Sequence, residues 1–362
     1  MLNLPVIQAN PMAHFADMSR EHIAERIESI REIMGDDLLI LGHHYQSNAI
    51  VQHADMTGDS FLLAQLARSS NATHVVFCGV HFMAESADIL TSDEQSVFLP
   101  NMRAGCSMAD MATLMQVEAA WELLSEHRIV PLTYMNSSAE IKAFVGRHGG
   151  AVCTSSNAHA AMKWAFEEVG EDGKVLFIPD QHLGRNTALK MGMPHESMMV
   201  WNPTALSESI EIDDKILLLW HGYCSVHQRF SVDQIERFRE EYPGGKVVVH
   251  PECSHAVVEM ADAVGSTEFI RSWVSEQKLG DVIGVGTEVH LVQRLNDLHS
   301  DRTVLCLDDS VCPCSTMYMI QPPYLLALLE GLLEGRVFNQ ISVDKETANH
   351  ARRALEQMLK LR

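Results

Sequence analysis

The sequence predicts an α/β protein of short parallel sheets covered by helices, and two observations predict it. Short apolar runs rich in Val, Ile, Leu and Phe recur along all 362 residues, and amphipathic stretches separate most of them. Strands buried on both faces read as continuous apolar runs, whereas strands of a one-sided antiparallel sheet alternate apolar with polar.

The elements follow in order. EHIAERIESIREIM (21–34) repeats apolar positions at helical spacing between charges, and the first strand, LLILGHHY (38–45), comes directly after it. The helical DSFLLAQLARSS leads to the strands THVVFCGV (73–80) and SVFLP (96–100). A second series begins with RIVPLTYM (128–135) and continues with AVCTSS (151–156), KVLFIPD (174–180) and KILLLWHG (215–222). AEIKAFVGRHGG and AHAAMKWAFEEVG are the helices between them. After the helix VDQIERFREEY come KVVVHP (246–251), ADAVGS (261–266), DVIGVGT (281–287) and RTVLCLD (302–308).

These runs also carry a longer period. Three strands end in His43, Tyr134 and His250, and a cysteine that follows a later strand lies 63, 90 and 64 residues further on, at Cys106, Cys224 and Cys314. The first and third spacings match, which predicts an internal repeat. The middle one is longer, and the polar, Pro-interrupted stretch 182–214 is the expected insertion. A rival alignment sets LPNMRAGC (99–106) against IPDQHLGR (178–185), where Arg185 stands in place of the cysteine.

Lys and Arg number 27 against 48 Asp and Glu, a formal charge of −21. Such a field repels polyphosphate, so neither nucleic acid nor an anionic membrane is expected as a partner, and an anionic substrate must be held by a local site. No apolar run reaches the roughly 18–20 residues needed to span a bilayer, and residues 1–19 lack the Lys or Arg of a signal-peptide n-region. The expected location is the cytoplasm, where eight cysteines read as buried thiols, metal ligands or catalytic groups rather than disulfides.

Cys78 and Cys306 lie inside apolar strands and read as core thiols. Cys106, Cys224, Cys253, Cys312 and Cys314 sit in turns after strands. The only close pair is C-P-C at 312–314, which matches neither structural zinc nor ferredoxin spacing. Three converging cysteines, one per repeat, would, if they hold an iron–sulfur cluster, be one fewer than its iron corners and leave an iron open as a Lewis acid. Helix starts supply the other signal. Gly58-Asp59-Ser60, Asn136-Ser137-Ser138, Thr154-Ser155-Ser156-Asn157 and Gly265-Ser266-Thr267 each place hydroxyls or amides ahead of a helix, and Ser137 with Glu140 has capping-box spacing. Each is either a plain N-cap or, with His43, His44, Tyr45, Tyr134 and His250, part of an anion pocket at strand ends. In HPEC, His250 and Glu252 pair as acid and base or as a carboxylate orienting an imidazole, and the Tyr45 phenol is a proton donor or a core cap.

Together, ILGHHYQ, DMTGDS, VVFCGVHFMAE, LPNMRAGCSMAD, TYMNSSAEIKA, CTSSNA, FIPDQHLGR, WHGYCSVH, HPEC, GSTEFI, GVGTE and CPCSTM resemble the quinolinate synthase family of bacterial de novo NAD synthesis. The likeness runs from near residue 38 to about 330. It implies three pseudo-threefold-related α/β/α units around a [4Fe-4S] cluster, one thiolate from each and one iron open. On this chain the units are 1–127 with Cys106, 128–242 with Cys224, and 243–362 with Cys314 and the C-terminal helices. Relatives with C-P-C use its second cysteine, so Cys314 is the expected third ligand, Cys312 the alternative and Cys253 a non-ligand. Tyr318-Met319 stands where many relatives have Met-Asn.

The resemblance further implies condensation of iminosuccinate with dihydroxyacetone phosphate to quinolinate, phosphate and two waters. The cluster would serve as a Lewis acid for dehydration, and L-aspartate oxidase or an aspartate dehydrogenase would be the transient source of the imine. His43, Ser60, Tyr134, Asn136, Ser155, Ser266 and Thr267 are the implied substrate-binding residues, and Glu252, His250 and Tyr45 the implied proton shuttles. The rival readings are another iron–sulfur lyase or aldolase acting on a dicarboxylate, a non-enzymatic iron–sulfur sensor, and a structural α/β protein with incidental thiols.

Overall fold

The computed structural model describes residues 10–204, 212–310 and 313–361. Its first sheet is built from β1 (Leu38–His43), β2 (Met56–Gly58), β3 (His74–Cys78) and β4 (Ser96–Phe98), all parallel, in the order β2-β1-β3-β4. The second contains β5 (Ile129–Tyr134), β6 (Ala151–Cys153), β7 (Lys174–Ile178), β8 (Met198–Trp201) and β9 (Leu217–Trp220), ordered β6-β5-β7-β9-β8. The third contains β10 (Lys246–Val249), β11 (Ala263–Val264), β12 (Val282–Gly286) and β13 (Thr303–Cys306), ordered β11-β10-β12-β13. Without β8, the three share one plan: the second strand flanks the first on one side, and the third and fourth follow on the other.

That plan gives the repeat a physical basis. His43 and Tyr134 close the first strand of their sheets and His250 follows the first strand of the third, while Cys106, Cys224 and Cys314 each follow the fourth. The rival alignment fails on topology: LPNMRAGC follows a fourth strand, but IPDQHLGR follows the third strand β7. The extra length of the middle unit is no simple loop. It holds most of the helix Gln181–Lys190 and the added edge strand β8, whose Met198 pairs with Leu217. Pro194 and the polar residues beside β8 hid it from the apolar-run reading, and β2, three residues long with Met56 exposed, was hidden by its brevity.

The apolar runs form the core, with Val75, Val76 and Phe77, Leu217 to Trp220, and Val247 to Val249 all buried. At roughly 1.5–3 kcal/mol per fully buried large aliphatic or aromatic side chain, these runs dominate the stabilisation of each sheet. Beyond the third sheet the chain returns to the other two. β14 (Gln340–Ile341) pairs antiparallel with β4, the helix Pro322–Leu333 packs on Arg20–Met34, and the helix Lys345–Lys360 packs on Ala139–Arg147. Asn157 Nδ2 ties down the last of these by donating to the carbonyls of Met358 at 3.1 Å and Leu361 at 3.0 Å. Among the described residues no helix is long and apolar enough to cross a membrane.

Candidate active site

In a parallel sheet every strand points its C-terminal end to the same edge, where the following helix exposes its first N–H groups. Here those edges meet around a cavity of about 70 Å³. The first sheet contributes His43, Tyr45, Ser60 and Cys106, the second Tyr134, Asn136, Ser155 and Cys224, and the third His250, Glu252, Thr267 and Cys314. Among the described residues no Lys or Arg lines it. Ser266 is not brought to this cavity: it lines an adjoining groove that Ser155 also borders, and its Oγ accepts from Phe269 N at 3.3 Å, capping the helix Thr267–Glu276. His44 faces away as well, with Nε2 2.9 Å from Glu268 Oε2.

The three cysteines share a local geometry. Each starts a tight turn in which residue i+4 donates its N–H to the cysteine carbonyl (Asp110 to Cys106, Gln228 to Cys224, Tyr318 to Cys314), and a 3₁₀ helix begins three residues on, at Ala109, His227 and Met317. The sequence signal was present in Cys-Ser at 106–107, 224–225 and 314–315. Burial pushes the Cys106 thiol up to about 12, helped by Cys314 and Glu252, and pushes Cys224 well above its ordinary value, helped by the Glu252 charge and then by Cys314 and Cys106. Cys253 is buried with Sγ 3.7 Å from the Gly286 carbonyl and does not line the cavity. Cys312 lies outside the described residues.

Opposite polar chemistry centres on Glu252, whose Oε1 accepts from the Tyr134 hydroxyl at 2.6 Å. Its Oε2 lies 2.8 Å from His227 Nδ1, and His227 Nε2 lies 3.3 Å from the Tyr45 hydroxyl and 3.2 Å from Thr287 Oγ1. Tyr45 and Thr287 are themselves 2.7 Å apart. The network assigns His227 the tautomer that donates from Nδ1 to the carboxylate and accepts at Nε2. Burial alone would raise Glu252, but the imidazoles of His227 and His250 and the bonds from His227 and Tyr134 hold it below the usual carboxylate range. Burial and the Glu252 charge push both phenols well above their ordinary value, so Tyr45 and Tyr134 keep their protons at neutral pH.

His43 and His250 repeat a second motif. His43 Nδ1 accepts from Tyr45 N at 3.1 Å and His250 Nδ1 from Glu252 N at 3.3 Å, in each case two residues on. Burial depresses both, His250 to about 3, so each ring is neutral with its proton on Nε2. His250 also stacks on His227, centroids 4.4 Å apart. His227 is the residue sequence reasoning passed over; it sits in the quoted WHGYCSVH, but only the fold brings it between Tyr45 and Glu252. Cys224, His227 and Glu252 place ligand atoms within 4.8 Å of one another, although His227 and Glu252 already satisfy each other.

For anions the cavity offers neutral donors. Ser60 and Thr267 are the first residues of their helices, and Thr267 Oγ1 is buried without a hydrogen-bond partner among the described residues. Asp59 Oδ1 caps Leu62 N at 2.9 Å, and its Oδ2 accepts from Ser156, joining two strand-end turns. At Asn136-Ser137-Ser138 the helix cap is Ser138, whose Oγ accepts from Ile141 N, not Ser137 as the spacing to Glu140 predicted. Ser137 instead donates to the Tyr134 carbonyl at 2.8 Å, bracing the turn.

The fold and site together define a three-sheet α/β enzyme with a hydrogen-bonded Tyr–His–Glu–Tyr network and a thiol trio lining one cavity at the strand ends. Residues 25–360 match the family model described as Quinolinate synthetase A protein. The chain is 52% identical to the quinolinate synthase of Corynebacterium glutamicum, over 94% of this chain and 88% of the relative. It is 51% identical to that of Streptomyces coelicolor over the same shares, and 47% to that of Rhodopirellula baltica over 97% and 93%. The chain belongs to the quinolinate synthetase A family.

Proposed function

We propose that the chain condenses iminosuccinate with dihydroxyacetone phosphate to give quinolinate, phosphate and two waters, serving NAD synthesis. The observation that carries the reading is that the Tyr45–His227–Glu252–Tyr134 network and three cysteines in equivalent turns line one cavity, with no Lys or Arg among its described lining residues. Two carboxylates and a phosphate are then held by Ser60, Asn136, Ser155, Thr267, the Nε2–H groups of His43 and His250, and helix N-termini. Ser266, on the adjoining groove, acts through its cap rather than by contact.

Glu252, kept as a carboxylate, takes the proton released as the enamine carbon of iminosuccinate attacks and phosphate departs. That proton leaves with the departing phosphate, and in the triose isomerisation the same carboxylate takes a proton from one carbon and returns it to its neighbour. Tyr45, kept as a phenol and oriented by His227 and Thr287, donates to a leaving hydroxyl and recovers its proton from the carbon or nitrogen that each dehydration deprotonates. Isomerisation, ring closure and two dehydrations need such shuttling in both directions.

Cys106, Cys224 and Cys314 fit an iron–sulfur group, because three soft sulfur ligands from equivalent turns line one cavity, and a bound metal would draw off the protons that burial otherwise holds on Cys106 and Cys224. When bound as [4Fe-4S] with three cysteine ligands, it supplies a Lewis acid for loss of hydroxyl. Iron and sulfide per chain test the ligand set. Cys106→Ala, Cys224→Ala and Cys314→Ala each lose both, and Cys253→Ala keeps them. Full iron in Cys314→Ala with loss in Cys312→Ala would move the third ligand to Cys312.

A further inference from the structure

Lys142 has no part in that chemistry, yet it is fully buried on the helix Ala139–Arg147. Its Nζ donates to the Ser137 carbonyl and lies 5.3 Å from the centroid of the Phe82 ring. Among the described residues no carboxylate comes within 4.0 Å of it. The other buried lysine, Lys174, is differently placed: its Nζ has three carbonyl partners, those of Ile212, Asp213 and Lys215 at 2.6, 3.1 and 2.7 Å. Enclosing an ammonium against one carbonyl and a ring face is costly, and a methionine would fill the same space without that cost.

Its surroundings point to a use for the charge. Ser137 belongs to the turn that carries Tyr134 and Asn136, both on the cavity wall, and Tyr134 donates to Glu252. Phe82 lines the cavity and Lys142 does not, so the ammonium stands behind the wall. Burial lowers Lys142 to about 8 against the support of Glu85 and Cys106, which leaves it charged at neutral pH.

We propose that Lys142 is a positioning residue for this cavity: it holds the Tyr134–Ser138 turn and sets a positive potential behind Phe82 that favours a dianionic substrate. The inference rests on the reading of the cavity as a site for dicarboxylate and phosphate. Full-length wild type, Lys142→Met and Lys142→Gln, loaded with iron and sulfide, separate its two parts. Lys142→Gln still donates to Ser137 but carries no charge, and its KM for iminosuccinate rises about tenfold with kcat little changed. Lys142→Met loses the brace as well, and kcat falls with it. KM and kcat within twofold of wild type in the folded variants, even at a lower unfolding temperature, would overturn the proposal. Should Lys142→Met fail to fold, Lys142→Gln decides alone.

Quinolinate binding to cluster-free protein, followed by calorimetry, tells this failure from that of the underlying reading. Wild type that binds but makes no quinolinate removes the catalytic reading, and about tenfold weaker binding by Lys142→Gln still upholds Lys142. Equal binding by the two overturns it. Wild type that neither binds nor makes quinolinate overturns both.

Discussion

At the scale of single residues, chemistry here is set by what each buried polar atom is already bonded to. His43 and His250 are fixed as Nε2–H donors by a backbone N–H two residues on, a constraint no residue count displays. Glu252 was legible in HPEC as acid, base or orienting group, but its partner His227 was not, because Glu252 and His227 meet only where two sheets share an edge. Glu252→Gln is expected to lower kcat by about 10²–10⁴ and also to lower the unfolding temperature, because one oxygen that accepted from Tyr134 or His227 becomes a donating amide. An undiminished kcat would remove Glu252 from proton transfer. His227→Asn removes a group that holds Glu252 low, so the Glu252 carboxyl rises toward its ordinary range and takes up its proton at higher pH. The acid limb of the kcat/KM profile then moves to higher pH, and an unmoved limb would contradict the network.

At the scale of elements, helix starts and helix contacts decide what is visible in advance. The strand-end Ser, Thr, Asn and Asp residues were legible as N-caps or anion donors, and the structure divides them. Ser138 and Ser266 cap helices through their side chains, Ser60, Asn136, Thr154, Ser155 and Thr267 line the cavity, and Asp59 does both. Local spacing alone could not assign the cap at 136–138, since adjacent serines compete and only Ser138 reaches Ile141 N. The return of the C-terminal segment was hidden because it depends on shape. Gly146 lets the helix Lys345–Lys360 lie so close that a Cβ there would come within 2.0 Å of the His350 carbonyl oxygen. Gly146→Ala is therefore expected to cost about 1–3 kcal/mol by forcing those helices apart. Urea unfolding measures it, and an unchanged midpoint would mean the contact is not tight.

At the scale of the whole molecule, the α/β class was legible because each repeat needs apolar strands buried on both faces, and the repeat was legible in the spacing from first-strand ends to fourth-strand cysteines. What spacing could not supply was the common strand order, which makes those positions converge, or β8, which lengthens the middle unit. Stability should follow the same burial. His250 is depressed from 6.5 to about 3, so the unfolded chain binds a proton below about pH 6.5 that the folded chain refuses until about pH 3. Its contribution to stability therefore falls on acidification through that window, by up to about 1.4 kcal/mol per pH unit. Thermal unfolding followed from pH 7 to pH 5 should show the loss, with a shallower slope in His250→Gln; parallel slopes would contradict it. The central claim is that this cavity makes quinolinate with an iron–sulfur group held by its three cysteines. Its most direct test is quinolinate formation by anaerobically reconstituted protein given dihydroxyacetone phosphate and freshly generated iminosuccinate. The account predicts product that disappears once air has destroyed the cluster. No product from protein carrying full iron and sulfide would contradict the substrate assignment, and product undiminished after cluster loss would contradict the role of iron.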